Sequence, residues 1–343
     1  MNHEFTYEVA ATTIVFGAGR RHETAQWMAR LGKSRAFVLS TPNQADDALG
    51  LADELGTKAA GCFTGAAMHT PVDVTQAALA KLRDLEADCI VSIGGGSTTG
   101  LGKAIAYRTG LAQIVLPTTY AGSEVTPILG QTENGLKTTL RDARILPNLV
   151  IYDPELTIDL PVAMTVLSAL NALAHAMEGL YARDRNPIST LMALEAFRSF
   201  KRCLPGLVEN SRDLSLRAEA QYGCWLDGTV LGSVGMALHH KICHTLGGRF
   251  DTPHAETHAI MLPYTTAYNE VAALELLAPL GEIFGGSPGA ALYDFSAVLG
   301  ALLSLKAIEL TEADLDEAAA LASENLLNSV SEKPAAGHSV QSN

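Results

Sequence analysis

The chain is short of the features that hold a protein outside the cell or in a membrane. No uninterrupted apolar run reaches the ~18–20 residues needed to span a bilayer. The start, MNHEFTYEVAATT, lacks the basic stretch and apolar core of a secretory leader. Five scattered cysteines (Cys62, Cys89, Cys203, Cys224, Cys243) form no CxxC pair, which excludes a disulfide scaffold and points to reduced thiols in a cytoplasmic protein. Positive charge is scarce too: 24 Lys and Arg against 37 Asp and Glu give a net charge of −13, with no basic run anywhere. Such a surface repels a phosphate backbone, so nucleic acid is excluded as a partner. A small anionic substrate then needs a few cations focused in one cleft.

What is present is a globular composition, 48% hydrophobic and 18% charged, in a chain of 343 residues, too long for one ordinary core. Residues 1–155 alternate β-branched runs with amphipathic helical patterns, the signature of a parallel sheet. The runs TIVFG (13–17), AFVLS (36–40), CIVSIGG (89–95), AQIVLPTT (112–119) and NLVIYD (148–153) read as strands. HETAQWMARLG, QADDALGLADELG and VDVTQAALAKLRDLE read as the helices between them. VTPILGQTENGLKTTLR, with Asn134-Gly135 at its centre, predicts a β-hairpin at the sheet edge. Residues 156–330 show helical periodicity almost throughout, broken at Pro187, Pro205, Pro253 and Gly285–Pro288. The polar end, 331–343, is expected to be disordered.

Two glycine- and hydroxyl-rich turns follow strands. In GGGSTTGLGKAIAYRTG, Gly94, Gly95 and Gly96 let the backbone approach a phosphate, while Ser97 and the free N–H groups opening the helix provide donors. In LPTTYAGSEVTP, Thr118, Thr119 and Ser123 are placed to bond a pyrophosphate or carboxamide, and Lys137 on the hairpin is placed to neutralise a phosphate. FGAGRRHE (16–23) reads as a simple turn. AFVLSTPNQ ends its strand at Ser40-Thr41 with no carboxylate there to hold a ribose 2′-hydroxyl and exclude a 2′-phosphate.

The histidines are the second concentration of chemistry. Asn171 and His175 are four apart on one helix and so share a face, as do His240 and His244 on another. His254 follows Thr252-Pro253, read as helix cap and first helical residue, with His258 one turn on. Three or four histidines at this spacing predict a polar active site. His239, turned about 100° from His240, is read as structural.

Together GGGS with its helix, PTT…GSE, a lysine before ILPNLVIYDPELTIDLP and H-x3-H-x9-H resemble the iron-containing (group III) alcohol dehydrogenase family. The resemblance runs from the first strand to about residue 270. It implies an α/β dinucleotide-binding domain followed by an all-α catalytic domain, the dehydroquinate synthase-like architecture, with the active site between them. It also implies a divalent ion held at the positions of Asn171, His175, His240 and His254. Asn171 replaces the family's carboxylate, the PTT loop is one residue short and brings in Tyr120, and Lys241 stands where a small residue is usual. These departures resemble a branch that reduces the C=C bond of a small dicarboxylate by conjugate addition, without an essential metal. The resemblance then implies NADH or NADPH as cofactor, His175, His240, Lys241, His244, His254 and Tyr120 as catalytic residues, and a homodimer. His244 is the favoured proton donor, with His240 and Lys241 on the oxyanion or a carboxylate. The rival expectations are a metal-dependent alcohol or polyol dehydrogenase, a lyase of the dehydroquinate synthase type, and a nucleotide-binding scaffold without activity.

Overall fold

A computed structural model describes residues 4–8 and 11–331; the segment expected to be disordered lies outside them from residue 332 on. The N-terminal half is a six-stranded parallel sheet in the order β1-β8-β5-β4-β2-β3. Its strands are β1 (Thr13–Phe16), β2 (Ala36–Leu39), β3 (Ala59–Phe63), β4 (Cys89–Gly94), β5 (Ala112–Pro117) and β8 (Leu149–Tyr152). Helices α1 (Thr24–Arg30), α2 (Ala45–Leu55), α3 (Val72–Arg83) and α4 (Gly96–Thr109) cover the two faces. The central strand β4 is buried at every position, which is why it reads as a continuous apolar run rather than an alternating one.

Two details depart from expectation. β3 gave no signal, because AAGCF holds no β-branched residue; it is an edge strand, paired with β2 alone and half-buried throughout. The hairpin forms around Asn134 (φ 51°) and Gly135 (φ 78°) but does not join the main sheet. Its strands β6 (Ile128–Glu133) and β7 (Leu136–Arg141) make a sheet of their own, bridged at Pro71–Thr132 to the loop before α3.

The last strand ends at Tyr152, and the helical half begins with α5 (Val162–Tyr181). Then come α6 (Pro187–Glu209), α7 (Leu214–Ser233), α8 (Leu238–Phe250), α9 (His254–Glu270), α10 (Leu274–Phe284), α11 (Pro288–Val298) and α12 (Glu312–Ser331). α5 is buried on all sides from Ala169 to Leu180, as its nearly uniform apolar sequence requires, and packs on α6, α7 and α9. Pro205 does not break α6, which continues to Glu209, whereas Pro187 and Pro288 each open a helix. Pro253 caps α9, so His254 is that helix's first residue, one later than Thr252-Pro253 suggested.

The two halves meet backbone to backbone. A Cβ on Gly228 of α7 would lie 2.3 Å from the Gly122 carbonyl oxygen in the loop after β5, so only glycine fits. Beside this contact the buried Lys103 of α4 donates to the Ser123 carbonyl at 2.5 Å, Thr126 Oγ1 at 2.9 Å and the Ile128 carbonyl at 2.9 Å. It ties the loop after β5 to the hairpin.

Candidate active site

Three cavities run edge to edge along the seam between the halves. The outer one, about 780 Å³, is lined by Thr41, Gln44, Gly95, Ser97, Thr118 and Thr119 from the sheet side and by Asp159 and Met164 from the helical side. It shares Met68, Gly96 and Ser97 with a middle cavity of about 300 Å³ that also touches Lys103, Ser123, Lys137 and His254. Lys137, His69 and His254 are shared in turn with an inner cavity of about 200 Å³, which reaches His244 and Gly247 of α8. The run thus connects the glycine turn to His244 and His254.

The turn has the shape of a phosphate cradle. Gly94 has φ 155°, and a Cβ there would lie 2.3 Å from Thr98 Oγ1. A Cβ on Gly95 would lie 2.9 Å from the Thr119 side chain. No side chain caps the helix opening at Gly96, so the first N–H groups of α4 face the cavity with the positive end of its dipole. These residues fit a nucleotide. Thr118 Oγ1 is oriented by Gln44 Nε2 at 2.8 Å, a residue the motifs did not single out. Ser40 does not reach the cavity: it is fully buried, and its hydroxyl donates to the Thr41 carbonyl. The end of the strand instead presents Thr41, Asn43 and Asp47.

On the helical side, Asn171 and His175 are both nearly buried on one face of α5. His175 Nδ1 lies 2.8 Å from Asp227 Oδ2 of α7, and Asp227 Oδ1 accepts from the Ala176 backbone at 2.9 Å. Glu178, three residues past His175 and fully buried, does the same for His240: Nδ1 to Oε2 is 2.7 Å. Glu178 also accepts from the Ala237 and His239 N–H groups at 2.8 and 2.6 Å, and so caps α8. Burial opposes ionisation of Glu178, but the hydrogen bond and charge of His240 with the backbone donors prevail and hold its carboxyl down to about 2. Burial raises the Asp227 carboxyl, against the pull of His175. Each imidazole is therefore anchored through Nδ1, which leaves Nε2 free; that of His240 is buried with no partner among the described residues, and both rings lie behind His244 and His254, outside the three cavities. The His175 and His240 rings stack with centroids 4.9 Å apart. Burial lowers the pKa of His240, and it takes His244 and His254 to about 4 and about 3 with help from neighbouring positive groups, Lys137 among them. His244 and His254 line the open cleft yet are crowded by protein atoms, so His240, His244 and His254 are held toward the neutral form.

Behind them runs a second chain of contacts that fixes tautomers. Thr265 Oγ1 gives its one proton to the Met261 carbonyl at 2.9 Å and so accepts from His239 Nδ1 at 2.8 Å. His239 Nε2 is then the acceptor for His258 Nδ1 at 3.0 Å. His258 Nε2 is left as a bare acceptor, buried without a partner among the described residues, in a ring 4.9 Å from His240 and 4.3 Å from His254 between centroids. His239 is fully buried, and its ring serves this chain.

Asn171, His175, His240 and His254 are the positions at which the family resemblance implies a divalent ion, and they fit one poorly. Asn171 supplies no charge, and its Oδ1 is buried without a partner among the described residues. The ring nitrogens of His175, His240 and His254 do not close on one point. Among the described residues, the one set of three His, Cys, Asp or Glu donor atoms within 4.8 Å of one another is His239, Cys243 and His258, already joined to each other.

Like Ser40, two expected catalytic residues, Tyr120 and Lys241, line none of these cavities. Tyr120 is fully buried in the helical core, where its hydroxyl donates to Thr157 Oγ1 and accepts from the buried Arg217, both at 3.2 Å. An aromatic ring between apolar helices buries, and Arg217 needs the acceptor, so the ring is turned from the cleft. Lys241 is half-buried on α8, its ammonium has no hydrogen-bond or ion-pair partner among the described residues, and it lies outside the three cavities. Ser123 does line the middle cavity, but its hydroxyl is engaged by Lys103 at 3.2 Å.

The model of the iron-containing alcohol dehydrogenase matches residues 11–154, and that of the C-terminal region of the Fe-containing alcohol dehydrogenase family matches 165–340. The chain is 60% identical over 321 residues to a maleylacetate reductase of Rhizobium sp. (strain MTP-10005), covering 94% of this chain and 92% of that one. It superposes on the crystal structure of maleylacetate reductase from Agrobacterium tumefaciens with a TM-score of 0.92 and 57% identity, over 99% and 95% of the two chains. An iron-containing alcohol dehydrogenase of Corynebacterium glutamicum gives a TM-score of 0.90 at 37% identity, over 95% and 91%. With this α/β sheet, this helical half and this histidine-lined seam, the chain is an oxidoreductase and belongs to the iron-containing alcohol dehydrogenase family.

Proposed function

We propose that the chain reduces the C=C bond of maleylacetate to 3-oxoadipate with NADH or NADPH, in the degradation of aromatic compounds, without an essential metal. The observation that carries this reading is an uncharged Asn171 beside imidazoles that do not converge, in a chain so similar to proteins named for that reaction. Maleylacetate has its double bond between a carboxylate and a ketone, so conjugate addition yields an enolate and needs an oxyanion stabiliser and a proton donor rather than a Lewis acid. The bound nicotinamide supplies the hydride.

The residues divide the remaining work. The Gly94–Ser97 turn and Thr118–Thr119 hold and orient the cofactor against the histidine face. His240, backed by the Glu178 carboxylate, gains a proton at Nε2 when a dianion enters, and that N–H then meets the developing enolate oxygen, while His175, held by Asp227, packs against its ring. His244, on the open side of the cleft, delivers the proton to the carbon α to the ketone. Its low pKa is set by burial and by neighbouring positive groups, and two substrate carboxylates act against both. The five thiols, all unpaired, suit a cytoplasmic enzyme, and no helix among the described residues is long and apolar enough to cross a membrane.

The test is loss of reduced nicotinamide absorbance with maleylacetate, set against a panel of aldehydes, ketones and alcohols, with and without chelator. Turnover of maleylacetate alone, unchanged by chelation, is expected. Turnover of simple alcohols or aldehydes that depends on added metal would overturn the reading in favour of a metal dehydrogenase.

A further inference from the structure

Two consecutive residues between β3 and α3, His69 (φ 62°) and Thr70 (φ 47°), sit in the left-handed region, where a β-branched residue is a true outlier. Backbone settings of this kind cost free energy and persist where the surroundings impose them, most often at functional sites. Here both sides impose it. Thr70 is buried against α4 so tightly that a Cβ on Gly100 would lie 2.3 Å from Thr70 Oγ1. On the other side the Thr132 backbone of the hairpin donates to the Thr70 carbonyl at 3.3 Å, and Pro71 is bridged to the same residue.

The pinned turn delivers His69 into the seam. His69 lines both the middle and the inner cavity, as do Lys137 and His254. Lys137 acts electrostatically on His69, His244 and His254, so the four groups share one small space. Lys137 has no carboxylate partner among the described residues. Arg249, which also lines the inner cavity, is already paired with Glu317 at 2.5 Å, and Asp251 stands on the rim as the one anion there. In a chain with net charge −13, this is where positive and hydrogen-bond-donating groups are focused beside the histidines.

We propose that His69 and Lys137 form the seat of one carboxylate of the substrate, with the strained His69–Thr70 turn holding the imidazole in place before the substrate arrives. The proposal rests on the dicarboxylate reading above and adds to it a residue that no motif pointed to. His69 is a binding residue, held by Thr70.

His69→Gly removes the ring at a backbone setting glycine adopts without strain, so folding is retained or improved. His69→Asn, also tolerant of this setting but too short to reach, serves as the second variant. Both should raise KM for maleylacetate by about 10-fold or more, the loss of one charge-assisted hydrogen bond, with KM for the reduced nicotinamide unchanged and Tm no lower than that of wild type. Two half-substrates locate the seat: (Z)-4-oxopent-2-enoate lacks the carboxylate on the ketone side, and 3-oxopent-4-enoate lacks the one on the alkene. The penalty should vanish for one of them and persist for the other. An unchanged KM for maleylacetate, or the same penalty on all three compounds, overturns the proposal. If the wild-type protein reduces none of the three, the function reading fails and the seat is judged on binding alone. Calorimetric affinity for adipate at least 10-fold weaker in His69→Gly supports it, and no binding, or equal binding, overturns it.

Discussion

Replacing Glu178 by Gln tests the electrostatic frame of the site at its most buried point. The carboxylate accepts four contacts: the N–H groups of Ala237 and His239, the His240 ring at 2.7 Å, and the Tyr181 hydroxyl at 3.2 Å. Glutamine keeps one acceptor oxygen and turns an NH2 toward donors that have nowhere else to go. Lowering of the Glu178 carboxyl from 4.5 to about 2 means that the ionised form is favoured in the folded state by about 3 kcal/mol. Removing one partner of a buried charge-assisted set costs a similar ~3–5 kcal/mol. Because the folded value lies below the unfolded one, this stability is fully present above pH 4.5 and is lost as the pH falls toward 2. Glu178→Gln should therefore unfold at lower urea concentration, by about 3 kcal/mol at pH 7, and the gap from wild type should shrink in acid. It should also reduce kcat/KM by about 10²-fold in the fraction that stays folded, since His240 loses the carboxylate that fixes its tautomer and supports its cationic form. A variant within 1 kcal/mol of wild type and within about threefold in kcat/KM would refute the reasoning.

Other outcomes follow from the same geometry. Asn171→Asp should gain affinity for divalent ions, read by calorimetry, and lose most maleylacetate reduction, because a new anion opposes the enolate and the substrate's carboxylates. Lys137→Met should raise KM for maleylacetate more than Lys241→Met does, since only the former lines the cavities; equal effects would return a substrate role to Lys241. The outer cavity carries Asp47 and Asp159 and no lysine or arginine, so KM for NADPH should exceed that for NADH by about 10-fold or more, and Asp47→Asn should narrow the gap. Lys103, taken down to about 7 by burial, binds its proton less readily folded than unfolded. Its contribution should make the protein more stable as the pH rises from 7 toward 10, an increment that Lys103→Met abolishes in urea titrations.

Much of the frame was legible because it is written in local patterns. Five strands, the Asn134-Gly135 turn and the glycine cradle follow from β-branched runs and from glycine where a Cβ has no room. The spacing of Asn171 with His175 and of His240 with His244 set each pair on one helix face, and in the fold the His175 and His240 rings stack while His244 and His254 line the inner cavity. What stayed hidden is what depends on partners far away in the chain. Asp227 is 52 residues from His175, and nothing around it marks it as that ring's anchor. Glu178 carried a signal that spacing alone could have caught, since it falls seven residues after Asn171 on the same face of an apolar helix and so needs a buried partner. His69 and Thr70 owe their conformation to α4 and the hairpin rather than to their own sequence. Tyr120 misled because a hydroxyl beside PTT reads as a donor, whereas the buried guanidinium of Arg217, 97 residues on, claims it.

The central claim is a conjugate hydride addition that needs no metal, and position-labelled product tests it most directly. The protein, treated with chelator and shown metal-free by elemental analysis, is given maleylacetate and nicotinamide deuterated in turn at each C4 face, and the product is read by NMR. One labelled face should place deuterium on the 3-oxoadipate methylene next to the carboxylate of the former alkene, at the rate of untreated enzyme. Deuterium on a carbinol carbon, or activity that vanishes on chelation and returns with a divalent ion, would contradict it.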